Sequence, residues 1–101
     1  MGNLKIKFTK KSVLVASKDQ VSAALSPDLP GNVLILGLKD GIYYELEEVG
    51  ARIWSLIQKP CSIQFLLDTL LKEYEVDAQR CEADLLALAE DMAKRDLIKI
   101  K

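Results

Sequence analysis

The sequence predicts an α+β domain of winged helix-turn-helix type, in which an N-terminal three-stranded antiparallel sheet is followed by three helices. Three observations carry this prediction. An Asp40-Gly41 pair stands between two runs rich in β-forming residues. Ser62 and Asp77 each open an apolar stripe at helical spacing, as capping residues do. Only the short turn Glu75-Val76-Asp77 separates the last two stripes, and a helix-turn-helix unit joined to a small sheet is the winged arrangement.

Length and charge set the frame for these elements. The chain has 101 residues, 14 Lys+Arg against 15 Asp+Glu, and 50 % hydrophobic residues. One domain of this size hides about 60 to 70 % of its unfolded surface, so a core forms without disulfide or metal staples. The first 18 residues read as a basic N-terminal segment, with Lys5, Lys7, Lys10 and Lys11 facing no acid before Asp19. Within it, Leu4-Lys5-Ile6-Lys7-Phe8 alternates as an extra edge strand or a basic tail would. Residues 19–101 form the folded domain.

Between Val13 and Leu25 the signal is mixed, with Gln20 to Leu25 the best strand. Ser26-Pro27-Asp28-Leu29-Pro30-Gly31-Asn32 is a loop, because its prolines cannot join a regular ladder. Val33 to Leu38 is apolar on both faces, as a central strand is, and Lys39-Asp40-Gly41 supplies the positive φ of a hairpin turn. Ile42 to Leu46 returns, with Ile42, Tyr44 and Leu46 toward the core and Tyr43 and Glu45 on the opposite face.

Helix one carries Val49, Ile53, Trp54 and Ile57 and stops at Lys59-Pro60, with Gly50 leaving room for a close backbone contact. Helix two follows Ser62 with Ile63, Leu66, Leu67, Leu70, Leu71 and Tyr74 on one stripe, and helix three follows Asp77 with Cys81, Leu85, Leu88, Ala89 and Met92. Leu97 to Ile100 reads as a terminal strand.

Composition removes several chemistries. The chain has no His, which excludes Ser-His and Cys-His nucleophilic machinery and leaves only thiols and carboxylates for a metal. Cys61 and Cys81 form no CxxC pair and read as buried free thiols. The five glycines are scattered, so no phosphate-binding loop exists and no cofactor is called for. No apolar run reaches the roughly 20 residues of a membrane helix, and no secretory signal is visible, so the chain reads as cytoplasmic with no membrane partner. A DNA-reading third helix needs cations for the phosphates, yet Glu82, Asp84, Glu90 and Asp91 outnumber Arg80, Lys94 and Arg95. Nucleic acid is disfavoured as a partner.

The run Gly41-Ile42-Tyr43-Tyr44-Glu45-Leu46 and then Gly50-Ala51-Arg52-Ile53-Trp54-Ser55-Leu56 resembles the G-x-Y-Y-x-L-N-x-x-G-A-x-I-W-x-L signature of PqqD-like proteins. Leu70, Tyr74, Val76, Asp77, Asp84, Leu85 and Leu97-Ile98 resemble the tail of the same family in order and spacing. Two positions depart from that pattern: Glu47 stands where Asn is usual, and Asp96 where Gly is frequent. Both concern helix ends, and Asp also tolerates the left-handed conformation that follows a helix.

The resemblance implies a non-enzymatic recognition element of ribosomal natural-product (RiPP) biosynthesis. Such an element binds the leader of a precursor peptide and delivers it to a leader peptidase or another modifying enzyme. The chain is most similar to the stand-alone leader-binding partner of the split lasso-peptide leader peptidase, with a peptide chaperone for a radical SAM enzyme as the nearest alternative reading. Strand addition at an open sheet edge would then engage Ile42, Tyr43, Tyr44, Glu45 and Leu46, with Leu88, Ala89, Met92 and Arg95 of helix three as the opposite wall. For each of these residues, ordinary core packing or solvated surface is the competing reading. No catalytic and no metal-binding residue is expected.

Overall fold

A computed structural model of the chain describes residues 8–24 and 32–101. In chain order the elements are β1 (Val13–Ala16), β2 (Gln20–Ala24), β3 (Asn32–Gly37), β4 (Tyr43–Glu47), α1 (Val49–Leu56), β5 (Cys61–Ser62), α2 (Ile63–Glu73), α3 (Ala78–Lys94) and β6 (Ile98–Ile100). The expected α+β order holds, with three helices behind the sheet-forming half. Of the sequence readings, Leu4 to Lys7, Leu25 and all of the proline-rich loop except Asn32 lie outside the described residues.

The expected sheet is present, with strand order β2-β3-β4 and both pairings antiparallel. The apolar run of β3 is its centre, with Ile35 fully buried on the side of the helices. The hairpin closes through four turn residues: the Gly41 N–H donates to the Gly37 carbonyl at 2.9 Å, the Gly37 N–H to the Ile42 carbonyl at 3.0 Å, and the Ile42 N–H to Asp40 Oδ1 at 3.0 Å. Gly41 has φ +69°, which favours glycine, and a Cβ on Gly37 would lie 2.7 Å from Asp40 Oδ1 and displace that carboxylate from the turn.

A second sheet, which the sequence reading lacks, has the order β5-β1-β6. Within the first 18 residues the chain thus forms a middle strand. Leu14 pairs with Cys61 on one side and Ile100 on the other, and its side chain is fully buried. Phe8 also packs against the core.

The helix ends follow the local chemistry. Ser62 Oγ accepts from the Phe65 N–H at 3.1 Å and Asp77 Oδ2 from the Arg80 N–H at 3.0 Å, so both expected caps are made. At the start of α1 the capping position is Glu48, at φ 47° and without a side-chain cap bond. The end of α3 is a Schellman closure: the Leu97 N–H donates to the Met92 carbonyl and the Asp96 N–H to that of Ala93. Asp96 sits at φ 58°, the conformation a Gly would take there.

Ile53, Trp54, Leu67, Leu70 and Leu85 are buried as expected, together with Leu14, Ile35, Ile57, Ile63 and Leu66. Trp54 Nε1–H reaches Ser22 Oγ of β2 at 3.1 Å, so the one polar atom of the indole is satisfied beneath the sheet. Cys61 and Cys81 are free and buried, and burial raises the pKa of both thiols, with Asp84 adding to the effect at Cys81.

Two expectations about the second half of the hairpin and α1 are corrected. Ile42 is exposed, because β4 starts only at Tyr43 and Ile42 stands ahead of it at the end of the hairpin connection. Gly50 meets the side chain of Leu46, not a backbone, and a Cβ there would lie 3.3 Å from Leu46 Cδ2.

The central place of β1 gives a stability test. Leu14→Ala should destabilise the fold by about 2 to 5 kcal/mol in urea denaturation, the cost of emptying a buried leucine site. An unchanged midpoint would show that this strand is not part of the folded unit.

Candidate functional site

Strand β4 has β3 on one side and no strand among the described residues on the other. The ladder tells which of its groups face that open edge. Since the Gly37 N–H bonds the Ile42 carbonyl, antiparallel alternation makes Ile35–Tyr44 and Val33–Leu46 the bonded pairs. The N–H and C=O groups of Tyr43, Glu45 and Glu47 therefore point away from β3, into the open edge. The pairing on the far side of β3 agrees, because the Leu38 N–H donates to the Asp19 carbonyl of the β2 side.

Helix α3 runs beside this edge in the opposite direction. At the hairpin end, Lys39 lies 3.7 Å from Asp96, just past the helix. At the second residue of β4, Tyr44 Oη donates to Asp91 Oδ2 at 2.6 Å, and the Arg95 guanidinium sits over the Tyr44 ring, 5.2 Å from its centroid. Arg95 also pairs with Asp91 at 3.5 Å. This Tyr44–Asp91–Arg95 cluster sets the spacing between strand and helix. Burial first, then the hydrogen bond to Asp91 and its negative charge, push the Tyr44 pKa up to about 12, with Arg95 opposing.

Past the Glu47 end of β4, where α1 begins, the three helices enclose a cavity of about 380 Å³. Val49, Gly50 and Ile53 of α1, Leu70 and Tyr74 near the end of α2, and Cys81, Leu85 and Leu88 of α3 line it, with Asp77, Arg80 and Asp84 at its rim. The walls are almost wholly apolar, and the polar groups stand where a ligand would leave toward water. Along the outer face of β4, the exposed Glu45 and Glu47 are two residues apart on one side of the strand. The Glu47 pKa is raised, chiefly by a hydrogen bond between the two carboxyl groups and then by their repulsion.

The nine residues singled out from the sequence separate in this geometry. Tyr43 and Glu45 offer backbone groups at the open edge, Tyr44 and Arg95 form the clamp, and Leu88 is half-buried on the cavity wall. Leu46 faces the core, and Ile42 stands between the turn and β4 with its side chain exposed. Ala89 and Met92, 1 % and 0 % exposed, face the core, so neither presents a surface to a ligand. They were attractive because helical spacing places them beside Leu88, yet the face that carries them is the one that α3 turns inward. Glu47, Asp91, Val49, Gly50 and Ile53 were missed as site residues. The Asp91 contact joins residues 47 positions apart, which periodicity does not reveal.

Residues 32–98 match the family model of coenzyme PQQ synthesis protein D, PqqD. The chain belongs to the PqqD family. The matched region contains β3, β4, all three helices and the residues that line the cavity. Among solved structures, the PqqD-family chain is similar to TbiB1 in complex with the TbiA(β) leader peptide, with a TM-score of 0.73 and 32 % identity over 84 % of this chain and 94 % of that one. A comparison with curated proteins finds no match.

The Tyr44 clamp carries a pH signature. A phenol whose pKa is raised on folding stabilises the fold fully below its ordinary value of about 10 and loses that contribution as pH rises through about 12. Ultraviolet titration should show a tyrosine ionising near pH 12 that vanishes in Tyr44→Phe and moves down in Asp91→Asn. Titration of that tyrosine at the ordinary value in the folded protein would show that the clamp is not formed.

Proposed function

We propose that the chain binds the leader of a ribosomally made precursor peptide by strand addition at the open edge of β4, and presents it to a leader peptidase or modifying enzyme. The observation that carries this reading is the juxtaposition of an unpaired strand edge with an apolar cavity, in a chain whose structural relative TbiB1 holds a leader peptide. In the family resemblance, the pathway is that of the lasso peptides and the chain acts in the cytoplasm, by binding alone. The described residues include no helix long and apolar enough to cross a membrane.

Three residues with outward N–H and C=O groups permit up to six ladder bonds. At about 0.5 to 1.5 kcal/mol each, these give roughly 3 to 9 kcal/mol, of which ordering a flexible peptide consumes about 2 to 5. The ladder alone therefore binds weakly. The cavity supplies the remainder by burying apolar side chains of the peptide, at about 25 cal/mol per Å². An added strand antiparallel to β4 runs from the Glu47 end toward the Tyr43 end. The leader residues over the cavity are then those that precede the paired stretch.

The winged shape does not point to DNA. Every cation on α3 and at its end lies near a carboxylate of the same helix: Arg80 by Asp84, Lys94 by Glu90 and Arg95 by Asp91. A groove-reading helix instead keeps its cations for phosphates.

Proline substitution separates strand addition from other modes, because it deletes one donor. Tyr43→Pro and Glu45→Pro remove outward N–H groups, which an edge strand tolerates. In titrations of a labelled leader they should bind at least about tenfold more weakly, with little loss of stability. Tyr44→Pro should break a bond to β3 and lower stability instead. Leu88→Asp should weaken leader binding while the fold survives, whereas Met92→Asp should unfold the chain, since an unpaired charge in a sealed core is costly. Amide exchange with and without leader decides the mechanism. Protection confined to α2 and α3, with the Tyr43, Glu45 and Glu47 amides unchanged, would rule out strand addition.

A further inference from the structure

The face of the β2-β3-β4 sheet turned away from the helices carries an apolar row that none of the described residues covers. Register places Val21, Leu36 and Tyr43 side by side across the three strands, and Val21 is 58 % and Tyr43 63 % exposed. By strand alternation Leu34 lies on the same side, and Leu38, 55 % exposed, continues the row past the end of β3. Single exposed apolar residues are ordinary, but a contiguous set on one face marks an interaction surface. We propose that this face docks the enzyme that acts on the leader-bound precursor, through an apolar patch on that enzyme bordered by Lys or Arg.

The proposal rests on leader addition at β4 and extends it in two steps. Leader residues directly opposite Tyr43, Glu45 and Glu47 share their side of the sheet, so the bound leader widens this face by one strand. The face is complete only when the leader is bound. An antiparallel leader also leaves β4 at the Tyr43 end, beside Leu38, and the part of the precursor that follows it emerges there. An enzyme seated on this face therefore stands where its substrate arrives.

Charge selects the kind of partner. Glu45 and Glu47 project from the same face and are exposed, so the apolar row is flanked by carboxylates along β4. A second copy packed face to face would bring like charges into one interface, whereas an enzyme surface with basic residues around an apolar centre is complementary.

The test uses the chain, its precursor with a labelled leader, and the peptidase or modifying enzyme that processes that precursor. Val21→Glu with Leu38→Glu places charge on the outer face away from the open edge, and Leu38→Ser is a milder variant should the pair perturb the sheet. Phe65→Glu, at an exposed position of α2, is the control. Leader affinity should stay within about twofold for all variants, while enzymatic turnover of the precursor falls about tenfold or more for the outer-face variants alone. Unchanged turnover with leader binding intact overturns the docking proposal by itself. An equal loss in Phe65→Glu does the same, since it removes the assignment to this face. A concentration-dependent dimer in sedimentation that Leu38→Ser dissociates would assign the face to a second copy and overturn it. Failure of the unchanged chain to bind the leader overturns the function and, with it, the docking proposal.

Discussion

The hydrogen bonds made along β1 hold one end of every helix. The Ala16 N–H donates to the Ile57 carbonyl at the close of α1, the Ile63 N–H at the start of α2 donates to the Ser12 carbonyl, and the Ser17 N–H donates to the Leu97 carbonyl just past α3. The strand is only four residues long, but it lies between partners drawn from the middle and the end of the chain. Buried backbone groups need partners, and here those partners are the helix ends themselves. Fixing all three ends fixes where α3 lies relative to β4, and hence how wide the space between them is. The Tyr44–Asp91 bond then sets that width from the other side.

An open strand edge is also a liability, because any extended chain can pair with it. The described part of the molecule has several edges, yet they are not equivalent. Strand β6 has three residues with Lys99 at its centre, and β5 has only two. Strand β2, the opposite edge of the same sheet, has five residues like β4, but only β4 of the two carries carboxylates, Glu45 and Glu47, and has the apolar cavity near one end. The carboxylates disfavour pairing between two β4 edges, since like charges would face each other. The cavity favours a chain that brings an apolar side chain to one particular place. Together they make this edge selective where a bare edge would be merely sticky.

Much of this arrangement was legible in the sequence where the determinants are local. Asp40-Gly41 specified the hairpin, the apolar run of Val33 to Leu36 its central strand, and Ser62 and Asp77 the starts of α2 and α3. Even the departure at Asp96 was readable, since Asp is among the few residues that accept the left-handed conformation the Schellman closure needs. Strand β1 was not legible. Val13-Leu14-Val15-Ala16 shows no alternation of apolar and polar residues, and its partners lie far along the chain at Cys61 and Ile100. Two-residue β5 was hidden by the cap at Ser62, which marks a helix start far more strongly than a strand end. The candidate site was half readable. Strand periodicity found the edge, but helical periodicity cannot say which flank of α3 faces β4, and so it offered Ala89 and Met92 in place of Asp91.

The same geometry explains how a winged helix can serve peptide recognition. In a DNA reader the third helix is presented outward and its cations are unpaired. Here its charges are spent within the helix, and one flank is turned toward a strand edge, tied there by Tyr44 and Arg95. What the helix then offers is a flank that is apolar at Leu88, where it borders the cavity, and polar at Asp91 and Arg95, where it meets Tyr44 of β4. A duplex has no extended backbone to add to such an edge. A peptide does, and because its side chains alternate, one set enters the space against α3 while the other joins the outer face of the sheet. In the proposed mode, recognition of the leader and display of the bound leader to another protein both follow from a single strand pairing.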